Sequence, residues 1–299
     1  MPEPSSYWAS LLGADVRQIN GKYSTRVIEC GSGPALILLH GTGGHLENYA
    51  LNIPRLARHF RVIACDFLWH GRSQTSGFDP EIIPLLVDQV VDVMNALDID
   101  AASIEGQSLG GWVAMRLALS HPTRVAHLVL TTAMGYAPDP DRIPGYVPPV
   151  RDANLASSLS MLDEPSFDNV RGRMSRILAD PSRLTDEAVL VRQAIYQQPA
   201  LREVQRSFIT EYLQGSTILR HEVTDAVARR IVHPTLVYWG DRNRVPASVG
   251  ERLAGQVHDG RFHCATDTGH WAQYESADEH DAVVSDFLLR TTSAQEALG

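Results

Sequence analysis

Ala102-Ser103-Ile104-Glu105-Gly106-Gln107-Ser108-Leu109-Gly110-Gly111 decides the fold, because a short buried strand here runs directly into a serine bracketed by glycines. Ala102 to Ile104 reads as the strand, and Gly111 to Ser120 as the helix that follows. In that setting Gly-x-Ser-x-Gly is a nucleophile elbow. The serine occupies a strained turn that leaves no room for side chains on its neighbours, and its hydroxyl is aimed into a cleft. The helix beginning after Ser108 points free N–H groups at negative charge developing there. A glycine-rich turn without chemistry is the competing reading, and the flanking strand and helix weigh against it.

Outward from the elbow, the chain alternates. Val16 to Ile19 and Tyr23 to Cys30 are separated by Asn20-Gly21, a hairpin signal. Ala35 to Leu39 and Val62 to Ala64 are short unbroken apolar runs, as expected of strands buried on both faces. Ile82 to Leu97 has apolar residues at helical spacing, and Val125 to Leu130 is the next strand. Strand and helix in regular alternation predict the α/β class, a mostly parallel sheet flanked by helices.

The alternation stops near Gly135. Pro138, Pro140, Pro144, Pro148 and Pro149 load the stretch from Tyr136 to Val150, which reads as an irregular connection. Helical patterns follow at Ser166 to Ala179, Thr185 to Gln198 and Leu201 to Leu213. Strand signals return at Thr235 to Trp239 and Arg261 to Ala265, with helices at Val249 to Val257 and Ser276 to Leu289. The expected architecture is a core of residues 1–134 and 221–299 with a helical cap inserted at 135–220.

Two further stretches carry chemistry. His40-Gly41-Thr42-Gly43-Gly44 follows the strand Ala35 to Leu39 and would present the N–H of Thr42 beside that of Leu109, forming an oxyanion hole. Alone, such a loop is equally a plain tight turn; its position upstream of the elbow gives it weight. Of twelve histidines, His270 in Thr268-Gly269-His270-Trp271 lies after the last predicted strand and before the terminal helix. It is therefore the candidate base for Ser108. His40 reads as packing beneath the glycine loop, and His45, His59, His121, His127 and His280 as surface or helix-end residues. Asp241 completes the chain order serine, acid, histidine.

These motifs in this order resemble the α/β-hydrolase fold. Further residues resemble one of its branches, the meta-cleavage product hydrolases, which break carbon–carbon bonds in ring-opened aromatic compounds. Gly269-His270-Trp271-Ala272-Gln273-Tyr274-Glu275 and Ala277-Asp278-Glu279 look like that family's C-terminal signature, and Leu97-Asp98-Ile99-Asp100 and Glu164-Pro165-Ser166-Phe167 are similar to it too. The resemblance implies a substrate-binding arginine at Arg192 and a polar contact at Asn48. It also implies an aromatic neighbour of the histidine at Trp271, and substrate contacts at Gly41, Gly43 and Gln107. The competing reading of Arg192 is a solvated face of a cap helix.

The sequence departs from the pattern in several places. Gln107 stands where the family usually has asparagine, and the oxyanion loop moves directly from Gly44 to His45. Trp69 replaces a glycine within Asp66-Phe67-Leu68-Trp69-His70-Gly71-Arg72-Ser73. The family's acid stands three residues beyond a glycine, which from Gly240 is Asn243, whereas Asp241 stands one beyond. Either Asp241 swings into place or Asn243 fills the seat. Asp241 is preferred, because an amide holding the wrong imidazole tautomer costs about 10⁴ in rate.

Composition excludes other classes. With 299 residues, 44% hydrophobic and 20% charged, the chain can bury a substantial core. A net charge of -9 argues against nucleic acid as partner, since such binders need a basic patch. The N-terminal MPEPSSYWASLLGADVRQ has neither a basic nor a continuous apolar segment, and no run approaches a membrane span, so no membrane partner is expected. Cys30, Cys65 and Cys264 suit reduced thiols in the cytoplasm. No metal-binding spacing is present, and no cofactor is implied. The expected partner is a small hydrophobic molecule with a carboxylate or carbonyl, and a homodimer stays open. Three functions remain: carbon–carbon hydrolysis of a 2-hydroxy-6-oxo-dienoate, hydrolysis of an ester or lactone, and a receptor-like protein without turnover.

Overall fold

The computed structural model describes residues 6–138 and 152–296. Tyr7–Ser10 (α1) leads into a hairpin of Asp15–Asn20 (β1) and Ser24–Cys30 (β2). Ala35–Leu39 (β3), Ile53–Leu56 (α2), Arg61–Cys65 (β4), Ile82–Ala96 (α3), Ala102–Gln107 (β5), Leu109–Ser120 (α4) and Val125–Thr131 (β6) follow. Next come Tyr136–Ala137 (β7), the helices Asp152–Asp163 (α5), Phe167–Ser175 (α6), Asp186–Tyr196 (α7) and Pro199–Gln214 (α8), and Val223–Thr224 (β8), which pairs with β7. Asp225–Ala228 (α9), Pro234–Gly240 (β9), Ala247–Gln256 (α10), Asp259–Ala265 (β10), Ala272–Glu275 (α11) and Ala277–Glu296 (α12) complete the chain order.

The main sheet has eight strands in the order β1-β2-β4-β3-β5-β6-β9-β10. The hairpin side is antiparallel, and every pairing from β4 to β10 is parallel. Alternation along a strand sends successive side chains to opposite faces. In β3, Ile37 and Leu39 therefore join the core shared with α3 and α4, while Leu36 and Leu38 join the one shared with α2 and α12. Both faces are covered, which is why these strands read as unbroken apolar runs.

This strand order also places the site. From β3 the chain passes to β4 on one side, and β5 then returns to β3's other side. The loops after β3 and β5 thus diverge at the carboxyl ends of two adjacent strands, leaving a crevice where ligands bind in open α/β sheets. The glycine loop and Ser108 both stand there.

Side chains cap the starts of α6 and α7. Ser166 and Thr185, read from sequence as first helical residues, are the N-caps of α6 and α7, accepting from the N–H groups of Asn169 and Ala188. The α6 helix ends at Ser175, short of the expected Ala179, because the next residues bond elsewhere. Ile177 accepts from the N–H of His270 at 2.7 Å. Ala179 and Asp180 donate to Glu275 at 2.8 and 3.2 Å. The α5 helix was not expected, since its Ser- and Ala-rich sequence has little amphipathic pattern. The proline-rich connection falls largely in 139–151, outside the described residues.

Candidate active site

Ser108 has φ 55° and ψ −114°, a left-handed conformation that an L-residue adopts only when its surroundings force it. The forcing is steric. A Cβ on Gly106 would lie 2.2 Å from backbone atoms of Gly110, and one on Gly110 would lie 2.1 Å from the carbonyl oxygen of Leu39. Only glycine lets β5 and α4 cross so closely. The turn holds Ser108 Oγ 3.0 Å from His270 Nε2. The histidine backbone is itself held from three sides: its N–H donates to Ile177, and its carbonyl accepts from Gln107 Nε2 at 3.0 Å and Thr132 Oγ1 at 2.7 Å.

The other ring nitrogen corrects the preference for Asp241. His270 Nδ1 lies 3.1 Å from Asn243 Oδ1. The Asn243 N–H bonds back to the Gly240 carbonyl at 3.1 Å, closing a turn that carries the side chain over the histidine. Asp241, directly after β9, has its N–H on Ala265 and its carboxylate on the Thr268 N–H at 3.2 Å, with Arg242 alongside at 3.9 Å. It faces solvent. The amide still supports a working tautomer. With Oδ1 accepting from Nδ1–H, Nε2 is free to take the proton of Ser108. Asn243 Nδ2 is buried without a partner, so no neighbour among the described residues locks the amide the other way. What the amide lacks is charge. Burial, together with Arg173 and Arg244, pushes the His270 imidazole down to about 4, so it stands neutral at ordinary pH.

The glycine loop closes over Ser108. A Cβ on Gly41 would meet Gln107 Oε1 at 2.3 Å and Ser108 Cβ at 3.1 Å, so only a glycine allows this approach. Beneath the loop His40 is fully buried, donating from Nδ1 to the Gly41 carbonyl at 2.8 Å and accepting the Phe67 N–H on Nε2 at 3.1 Å. Thr42 faces the cavity with its hydroxyl buried and unpartnered, and Leu109 opens α4 beside Ser108.

Arg192, on α7, is 7% exposed, which rules out a solvated helix face. Its Nη2 donates to Asn48 Oδ1 at 2.8 Å, its guanidinium lies 5.8 Å from the Trp271 ring centre, and its Nε is buried without a partner. Burial holds its pKa below the usual value. A buried guanidinium whose only hydrogen-bond partner among the described residues is an amide is ready for an anion. Tyr196, one helical turn on, donates to the Gly43 carbonyl at 2.9 Å; its i+4 spacing from Arg192 was the available sequence signal. Ser108, His270, Thr42, Asn48, Gln107, Arg192, Tyr196, Asn243 and Trp271 line one cavity of about 200 Å³ with Gly41 and Gly43, whereas Asp241 and Leu109 do not; the unpredicted Arg173 and Arg244, whose sequence surroundings carry no motif, line it too. Among the described residues no cluster of His, Cys, Asp or Glu could hold a metal ion, and no helix is long and apolar enough to cross a membrane.

A family model described as alpha/beta hydrolase fold matches residues 34–277. The chain belongs to the α/β-hydrolase family. Within it, the chain is 30% identical to the 2-hydroxy-6-oxo-6-phenylhexa-2,4-dienoate hydrolase of Comamonas testosteroni, over 87% of this chain and 89% of that one. It is also 30% identical to a 2-hydroxy-6-oxononadienedioate/2-hydroxy-6-oxononatrienedioate hydrolase of Paraburkholderia xenovorans, covering 91% and 93% of the two chains. Among solved structures, a meta-cleavage product hydrolase from Pseudomonas fluorescens superposes with a TM-score of 0.78 at 26% identity, over 92% of this chain and 97% of that one. These relatives act on small ring-cleavage products.

Three histidines of this α/β-hydrolase lie deeper than their sequence context indicates. His45, His127 and His280 are all buried, and His280 is paired with Glu105 at 3.0 Å and Asp281 at 3.1 Å. Asp281 is its neighbour on α12, but Glu105 reaches it from β5, a contact that no local pattern marks.

Proposed function

We propose that this hydrolase cleaves a carbon–carbon bond in a ring-opened aromatic 2-hydroxy-6-oxo-dienoate, with residues 135–220 as its cap. The buried Arg192, which bonds the amide of Asn48 and no carboxylate among the described residues, carries the choice over a neutral ester, because a dienoate brings the carboxylate that this guanidinium lacks. The three thiols, free of disulfides, support a cytoplasmic setting.

The reaction has two parts. The dienol first becomes its keto tautomer, so that the bond beside the remote carbonyl can break toward a stabilised carbanion. Ser108, its proton taken by His270, then attacks that carbonyl or directs water to it, with Thr42 and Leu109 N–H groups receiving the oxyanion. Bond cleavage leaves an electron pair on the departing carbon, and His270 returns the proton there. Water supplies hydroxyl to the acyl fragment, which is released as a carboxylic acid. Asn243 orients the imidazole, and Asn48, Gln107, Gly41, Gly43 and Trp271 shape the pocket around the substrate.

Arg192→Gln tests the assignment. Loss of a charge-assisted contact removes about 1.5 to 3 kcal/mol. The variant should therefore lower kcat/KM for a dienoate tenfold to hundredfold relative to kcat/KM for a neutral aryl ester. Equal losses on both substrates would make Arg192 a support of the cap and remove the main argument for the dienoate.

A further inference from the structure

Directly after β6 the backbone is strained at a residue poorly suited to it. Thr132 has φ 41°, in the left-handed region, although it is β-branched and fully buried. A residue keeps such a conformation only where its surroundings hold it, and strain of this kind gathers where a side chain must be aimed. Here the turn aims a hydroxyl. Thr132 Oγ1 donates to the His270 carbonyl at 2.7 Å. It also lies 3.5 Å from Gln107 Nε2, which donates to the same carbonyl at 3.0 Å.

The same turn holds the serine. The Ser108 N–H donates to the Thr131 carbonyl at 3.1 Å, and the Ser108 carbonyl accepts from the Met134 N–H at 3.0 Å. Between these bonds the Thr132 N–H donates to the Tyr238 carbonyl on β9 at 2.8 Å. The turn is also pressed against α4, where a Cβ on Gly111 would lie 2.4 Å from Ala133 Cβ. Residues 131–134 therefore grip the main chain of Ser108 on both sides and the main chain of His270 at its carbonyl.

The neutral Asn243 gives this grip its importance. A carboxylate in that seat would hold the imidazole by charge as well as by a hydrogen bond, whereas the amide supplies the bond alone. The 3.0 Å approach of Ser108 Oγ to His270 Nε2 then depends on where the histidine main chain stands. We propose that Thr132 is a positioning residue for the Ser108–His270 pair, its strained backbone holding the hydroxyl that fixes the histidine carbonyl to the turn that also carries the serine. This rests on Ser108 and His270 as nucleophile and base and is independent of which bond the enzyme cleaves.

Three variants test it. Thr132→Val keeps the shape and loses the hydroxyl, Thr132→Gly loses the hydroxyl and relieves the backbone, and Thr132→Ser keeps the hydroxyl. Turnover and the rate at which a fluorophosphonate labels Ser108 are read beside urea denaturation. The valine and glycine variants should both lower kcat and the labelling rate about tenfold with KM nearly unchanged, because a small displacement of a reacting group is costly. The glycine variant should nevertheless have the higher urea midpoint of the two, so that rate and stability part company. Thr132→Ser should restore most of the lost rate. A glycine variant as fast as the wild type overturns the proposal, and so does a serine variant as slow as the valine one. Ser108→Ala separates the two levels of the argument. If it is inert while the Thr132 variants keep wild-type rates, only the positioning role fails; if it turns over and labels like the wild type, the nucleophile assignment fails and the positioning role with it.

Discussion

Two loops reach His270 from opposite sides, and they are built on different principles. The elbow between β5 and α4 is fixed by contact. Its glycines have no space for a side chain, its serine is held in a left-handed turn, and its strand is anchored at Glu105 by a buried ion pair with His280. The loop after β9 is fixed by length. Asp241, Arg242 and Arg244 are all exposed, and only the Gly240–Asn243 turn decides which side chain faces the imidazole. One residue more or less in that loop would present a different group. Close backbone approach dictates residue identity, whereas a seat reached by a loop can be filled by whichever residue the loop length delivers.

Breaking the elbow should have the largest effect. Ser108→Ala removes the nucleophile with little change in volume, so turnover should fall by about 10⁶ while circular dichroism stays native. Retained turnover would show that the elbow is only a turn.

The anchor under the elbow is the next test. Removing one partner of a buried ion pair destabilises by about 3–5 kcal/mol, so Glu105→Gln should show a loss of that size in urea denaturation. Asp241→Asn, at an exposed site, should stay within about 0.5 kcal/mol. Its carboxylate neighbours hold the His280 imidazole at about 10 despite burial, against an ordinary 6.5. A raised folded-state value means that the stabilisation is full below about pH 6.5 and is lost as pH rises through about 10. The wild type's margin over Glu105→Gln should shrink across that range. A margin that does not change with pH would mean that His280 is neutral in the fold.

A smaller effect is expected at the loop, and it runs toward gain. Asn243→Asp supplies the missing charge opposite His270, and hydrogen bonds to charged groups are worth about 1.5–3 kcal/mol. Turnover should rise about tenfold to hundredfold. The acid limb of kcat/KM, expected near the depressed value of about 4 for His270, should move upward with it. A slower variant with an unmoved limb would show that Asn243 does not orient the base.

The same contrast explains what could be read in advance. The strand at Ala35–Leu39 coincides with its apolar run, and Ser108 and His270 stand together as their topological positions require. The acid's seat was open in the sequence between two neighbours, because a count of loop residues does not fix how the loop turns. Trp69, which replaces a glycine of the family pattern, nevertheless has a positive φ of 64°, the region that favours glycine, and packs against Phe78 and Phe208. Arg173 left no trace in the sequence, since on a polar helix that also carries Arg171 it looks like any solvated arginine.

The most direct measurement is a comparison of rates on purified wild-type protein, offered a ring-opened catechol dienoate and a panel of neutral aryl esters. Carbon–carbon hydrolysis predicts loss of the dienoate chromophore with release of a carboxylic acid, at a kcat/KM above that for every ester. An enzyme that cleaves the esters well and leaves the dienoate intact would contradict the account and make this chain an esterase or lactonase on the same scaffold.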